Sequence, residues 1–159
     1  MKRLITILII AASATCQLQA QKGLHVNDIF EGKLVPQSQM VETIVRGKEL
    51  IRYKLSYFHS ARMKADDNIV RKIDELMRLD YTENLPDLLA EKRIEGYYMQ
   101  SESKNLPGKK PVKTHMAMLP SKGNIHRFIC YKRKGDELTF IYMEGTVASI
   151  TELKDILNN

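Results

Sequence analysis

Ile125-His126-Arg127-Phe128-Ile129-Cys130-Tyr131-Lys132-Arg133-Lys134-Gly135-Asp136-Glu137-Leu138-Thr139-Phe140-Ile141-Tyr142-Met143-Glu144 is the stretch that decides the fold. A Gly-Asp pair between two runs rich in β-branched and aromatic residues signals a hairpin with a two-residue turn. With Gly135-Asp136 as that turn, Tyr131 faces Phe140, Ile129 faces Tyr142, and Arg127 faces Glu144 as an opposite-charge pair. Phe128, Cys130, Ile141 and Met143 point to the other side. Both faces are apolar near the middle, so the hairpin belongs inside a sheet and needs cover on two sides. Helices can supply one side. The other requires the N-terminal segment, a second copy of the chain docked on hairpin 124–147 as a homodimer, or a ligand; the chain's own segment ranks first.

Working outward, strand patterns also occupy residues 93–100 and 112–119, with turn residues at Asn105-Leu106-Pro107-Gly108 and Pro120-Ser121-Lys122-Gly123. Residues 40–45 alternate as a strand and run into the turn Arg46-Gly47-Lys48-Glu49. In residues 50–58, Ile51, Tyr53, Leu55 and Tyr57 share one face and Arg52, Lys54 and Ser56 the other, which predicts a half-buried strand. Asp66-Asp67-Asn68 forms a capping cluster before Ile69, Val70, Ile73, Leu76 and Met77, an apolar stripe at helical spacing. A second helical turn is expected over 85–92, with Pro86 in its first turn, and a closing helix from Ser149 or Thr151 to Leu157. Strands on both sides of a helix, in meander order, predict an α+β fold. The expectation is one domain over 40–159, a mostly antiparallel sheet packed by two or three helices, with residues 21–39 as an N-terminal extension.

Residues 1–20 have another layout. Lys2 and Arg3 precede an apolar run from Leu4 to Ala14, and Leu18-Gln19-Ala20 fits a small-residue cleavage site. This is the pattern of a secretory signal peptide, too short to span a bilayer. The expected mature chain is therefore exported to the periplasm, the outer envelope or the medium, and is not transmembrane. A lipid anchor at Cys16 is not expected, because Ser13 and Thr15 stand where lipoprotein signals place a large aliphatic and a small residue. Cleavage would remove two of the 25 basic residues and none of the 19 acidic ones, so the net charge of +6 would fall to +4. It would also leave Cys130 as the one cysteine, without an internal disulfide partner and set among apolar neighbours, so it reads as buried and inert.

The 159 residues suit one domain, and a hydrophobic fraction of 43% excludes a disordered tail. Catalytic signatures are missing. His25, His59, His115 and His126 lie outside H-E-x-x-H, H-x-E and C-x-x-C contexts, so no metal or cofactor is expected. His115 and His126 could become diagonal neighbours if residues 120–123 close a hairpin, yet no third ligand stands nearby. There is no G-x-S-x-G elbow. The acid pairs Asp66-Asp67, Asp74-Glu75 and Asp136-Glu137 point apart or cap, and a tryptophan for sugar stacking is absent. Lys104, Lys109, Lys110 and Lys113 gather around Gly108 without forming a phosphate loop. They read as a solvated loop or as the contact for an anionic partner. Nucleic acid is not the expected partner, since interleaved aromatics and a larger basic footprint are lacking.

A signal peptide followed by Gln21-Lys22, the opening His25-Val26-Asn27-Asp28-Ile29-Phe30 and the run Val45-Arg46-Gly47-Lys48-Glu49-Leu50 resemble small exported Bacteroidetes proteins. Their families are known only as domains of unknown function. Leu138-Thr139-Phe140-Ile141-Tyr142-Met143-Glu144-Gly145, leading into a short acidic-apolar helix, is similar to the same group. The resemblance implies a single α+β domain in the cell envelope and carries over no catalytic residues. The expected function is a non-catalytic binding or interaction module that meets an unidentified protein or an anionic envelope component. The rivals are a small envelope hydrolase using His59, His115 or His126, and a component of a surface assembly.

Overall fold

The computed structural model describes residues 21–90 and 99–158. Its central hairpin pairs in the register that the Gly135-Asp136 turn dictates: Tyr131 opposite Phe140, Ile129 opposite Tyr142, Cys130 opposite Ile141 and Arg127 opposite Glu144. Gly135 takes φ 66°, a left-handed corner that an L side chain rarely adopts. Arg127 faces Glu144 as expected, but its Nε donates to the Pro120 carbonyl at 2.6 Å, and Glu144 accepts from the Tyr142 hydroxyl at 2.6 Å.

Among the described residues, six antiparallel strands form one sheet: β1 (Met40–Arg46), β2 (Leu55–Lys64), β3 (Met99–Lys104), β4 (Val112–Lys122), β5 (Ile125–Lys134) and β6 (Glu137–Gly145). Their spatial order is β1-β2-β6-β5-β4-β3, so a β3–β6 meander joins the β1–β2 pair along β6. Four α-helices among the described residues complete an α+β domain: α1 (Asn27–Phe30), α2 (Lys48–Ile51), α3 (Asp67–Ala90) and α4 (Ile150–Asn158). Two of these are single turns, so the expected two or three packing helices correspond to α3 and α4 with small additions.

The hairpin's two faces end in two cores. Ile129, Tyr131, Phe140 and Tyr142 pack with Val70, Ile73 and Met77 of α3 and with Val26, Ile29 and Phe30 around α1. Phe128, Cys130, Ile141 and Met143 pack with Leu50 of α2, Leu88 of α3, and Val147, Ile150 and Leu153 at α4. The N-terminal segment thus shares the first face with α3 instead of supplying the second. The second face is covered by α4 together with α2 and the end of α3. With β2 and β4 bonded to its edges as well, the apolar middle of hairpin 124–147 is covered within the chain and needs no second copy to cover it.

Local chemistry explains the helix positions. Asp66 Oδ1 accepts from the Ile69 amide at 2.9 Å, the cap expected of the acid cluster. Ser149 Oγ accepts from the Glu152 amide at 3.1 Å, while Glu152 Oε2 reaches back to the Ala148 amide at 2.7 Å. Buried Asp80, 1% exposed, accepts from the amides of His25 at 2.8 Å and Val26 at 2.9 Å, and so ties the N-terminal segment to α3.

Three expectations need correction. Residues 50–58 are not one strand. Positive φ at Gly47 (82°) and Lys54 (55°) brackets a helical turn that buries Leu50 and leaves Ile51 68% exposed, so β2 starts only at Leu55. A bulge between Leu55 and Tyr57 then turns Leu55 to the second core. The separate helices expected near 66–78 and 85–92 are one helix of 24 residues. No glycine or proline interrupts residues 79–85, and Pro86 sits inside with the loss of one backbone bond. The β4–β5 turn is Gly123-Asn124, not 120–123. The signal segment 1–20 with Cys16, most of the strand expected at 93–100, and residues 91–92 of the expected second helix lie outside the described residues.

Two substitutions test this framework. At Gly145 an added Cβ would lie 2.2 Å from the Lys54 carbonyl oxygen, where the chain bonds Thr146 N at 2.9 Å. Gly145→Ala should lower the unfolding free energy by about 1–3 kcal/mol, read as a lower urea midpoint with unchanged slope. Asp80→Ala orphans the buried Val26 amide and the part-buried His25 amide; it should cost about 1–3 kcal/mol for the first and less for the second, with faster hydrogen exchange at residues 25 and 26.

Candidate functional site

The lysine loop gains its meaning from strand pairing. Lys104 ends β3, Lys109 and Lys110 lie in the connection to β4, and Lys113 is the second residue of β4. On β4, Lys113 pairs with Arg133, and Val112 pairs with both Lys134 and Lys104. The four expected residues therefore meet Lys132, Arg133 and Lys134 at one end of the sheet. The loop also lies against the β5–β6 turn: Lys110 Nζ is 3.7 Å from Asp136, and an added Cβ on Gly135 would meet Lys110 Cδ at 2.7 Å.

The pleat divides these cations between two faces. On the face of α3, Arg133 pairs with Asp67 at 2.8 Å and Lys113 lies 4.0 Å from Asp74. On the opposite face stand Lys104, Lys132 and Lys134, for which no ion pair is found among the described residues; neighbouring Glu102 is bound by Lys154 of α4. Burial holds Lys132 below the usual lysine range; Cys130 offsets this, and the charges of Lys104 and Lys134 add to the lowering. A half-buried ammonium repelled by its neighbours marks positive potential that an incoming anion would relieve. The sequence alone does not mark Lys132, Arg133 and Lys134 as partners of the loop, because a turn at Pro120–Gly123 sets a different register between 112–119 and 124–133. The turn at Gly123-Asn124 sets Lys122 opposite Ile125, and a register shift between Leu119 and Lys122 then brings 113 across from 133.

The histidines go to separate places. His59 is fully buried on β2: Gln21 Nε2 donates to its Nδ1 at 2.8 Å, and its Nε2 donates to Glu42 Oε2 at 2.9 Å. Phe30 stacks on the ring at 3.9 Å, so His59 fastens the N-terminal segment to the sheet. His25 Nε2 is 2.9 Å from Glu83 on α3. His115 lies on the first face with Nδ1 3.4 Å from Asp74, which also accepts the Tyr131 hydroxyl at 2.7 Å. His126 lies on the opposite face, where Nδ1 and Ser121 Oγ are 2.7 Å apart. His115 and His126 are not diagonal neighbours, since His115 pairs with Tyr131, five positions along β5. No group of three metal-ligating side chains occurs among the described residues. Cys130 is buried, and burial pushes its thiol up to about 12, which suits an inert core residue.

The His115 cluster has a measurable titration. Burial lowers its pKa, opposed by Asp74. Nε2 is buried without a hydrogen-bond partner, so protonation would strand a second N–H. The folded state then binds fewer protons than the unfolded chain in the window just below the ordinary value of 6.5. Stability should rise with pH across that window and fall on acidification through it. Chemical denaturation at stepped pH should show this slope, and His115→Gln should flatten it.

No curated protein matches the chain. Residues 13–157, spanning the expected signal segment's end, both cores and the basic end of the sheet, match one described family. The chain belongs to that family, a family of unknown function (DUF6108).

Proposed function

We propose that the protein is an exported, non-catalytic binding module of the cell envelope, and that the basic end of its sheet docks an anionic envelope component. The observation that carries this reading is the cluster of Lys104, Lys132 and Lys134 on one face, where burial and mutual repulsion disfavour the charge on Lys132. The expected loop residues Lys109, Lys110 and Lys113 extend the same end, although Lys110 and Lys113 lie near Asp136 and Asp74. A rigid antiparallel sheet with cover on both faces holds these cations in a fixed array. Export is supported by the sequence pattern of residues 1–20, and among the described residues no helix is long and apolar enough to cross a membrane.

Binding to vesicles that contain anionic lipid, and to an acidic polysaccharide column, tests the reading. Each lysine near an anionic surface contributes about 1 kcal/mol. Replacing Lys104, Lys132 and Lys134 together by glutamine should weaken binding on the order of a hundredfold, and the wild-type affinity should fall with salt. Lys113→Gln, whose ammonium already has Asp74 nearby, should do less. Equal behaviour of wild type and triple variant would remove the proposal.

A hydrolase remains the second reading because of one contact, the 2.7 Å approach of Ser121 Oγ to His126 Nδ1. A serine nucleophile activated this way would hydrolyse simple aryl esters and react with a fluorophosphonate, and Ser121→Ala would abolish both. Absence of both activities in the wild-type protein would leave binding as the sole reading.

A further inference from the structure

Strand β1 ends the sheet, and among the described residues its outer edge has no strand neighbour. It is an unusual edge. Val41 is 56% exposed and Ile44 is 37% exposed on a seven-residue strand, whereas the opposite edge carries exposed Ser101, Glu102, Ser103 and Lys104. Apolar edge strands invite pairing with another chain, and polar ones discourage it.

The sequence of β1 is also complementary to itself. In an antiparallel ladder between identical strands, partners share parity, because successive residues turn their backbone groups to alternate edges. Few registers are then available. A twofold axis at Glu42 sets Glu42 against Glu42. An axis at Thr43 sets Glu42 against Ile44, and one at Val45 sets Ile44 against Arg46. An axis at Ile44 sets Glu42 against Arg46 twice, Ile44 against Ile44, and Thr43 against Val45. Opposite charges and matched apolar groups favour this last register, and the first is repulsive.

Both charged groups are already held on the face where they would meet. Glu42 Oε2 accepts from His59 Nε2 at 2.9 Å, and the Arg46 guanidinium rests 4.9 Å from the centroid of the Tyr57 ring. Little side-chain freedom is left to lose on pairing.

We propose that β1 pairs antiparallel with β1 of a second copy about an axis at Ile44, continuing the six-stranded sheet into a twelve-stranded one across two chains. The interaction is separate from the basic end of the sheet and does not depend on it.

Sedimentation velocity over a rising concentration series tests the proposal. Wild type should pass from monomer to dimer. Arg46→Glu sets acid against acid, Glu42→Arg sets base against base, and each variant alone should weaken the dimer at least about tenfold. An equimolar mixture of the two variants restores both opposite-charge pairs and should recover dimer. If Glu42→Arg loses its fold by far-UV circular dichroism, Ile44→Lys replaces it, placing like charges on the axis and giving the same loss of dimer. A wild-type monomer at every concentration, an Arg46→Glu protein that dimerises like wild type, or folded variants whose mixture stays monomeric would each overturn the proposal.

Discussion

Cys130 and Tyr131 are adjacent, both buried, and point to opposite faces of the sheet. That pair states the constraint on which the rest of the structure depends. A strand that is apolar on both faces must be internal and must be covered twice. The chain meets the demand by placing β5 between β4 and β6, laying α1 and α3 on one face, and laying α2 and α4 on the other. The length of α3 follows from the same demand. About 36 Å of helix carries Val70 and Ile73 in the first core and Leu88 in the second, with Tyr81 touching both.

Once the interior is closed in this way, polar side chains are left with two kinds of work. Some fasten the cover: Asp80 ties the N-terminal segment to α3 through the amides of His25 and Val26, His59 links Gln21 to Glu42 on the sheet, and Asp74 joins α3 to Tyr131. Each of these histidines and carboxylates has a partner within the fold. Others collect where the strands end. Lys104, Lys132 and Lys134 are brought together by register alone, since they come from two strands and share one face. Acids of α3 answer the cations on its own face, Asp67 with Arg133 and Asp74 with Lys113, and cannot reach those on the other.

How much of this was legible in the sequence depended on how local the determining physics is. The β5–β6 register was legible to the residue, because a two-residue Gly-Asp turn leaves one pairing. The Asp66 cap and the Ile73–Met77 stripe were legible for similar reasons. Of the strand expected over 50–58, residues 50–54 depart from it, because alternation at Ile51, Tyr53, Leu55 and Tyr57 imitates a strand while left-handed Lys54 breaks it. Nothing local reveals that break, which is set by the close approach of Gly145 to the Lys54 carbonyl. The candidate site was legible in half. The lysines of the loop stand together in sequence, but Lys132 and Lys134 join them only through a turn at Gly123-Asn124. The fastening role of His59 needs residues 38 apart in the chain, beyond any spacing rule.

Both faces of one hairpin close as a single cooperative unit, and the hairpin carries its own reporters. In a Cys16→Ser, Tyr53→Phe background, the thiol of Cys130 reports the second face, and tyrosine fluorescence, with Tyr57, Tyr131 and Tyr142 in the first core, is weighted toward the first. Urea titration followed by both signals is the most direct test, because coincident transitions identify one cooperative unit. One shared midpoint is expected, with Cys130 unreactive to a thiol reagent below it. Labelling of Cys130 at a clearly lower urea concentration than the tyrosine transition would contradict it, showing that the α4 side opens on its own.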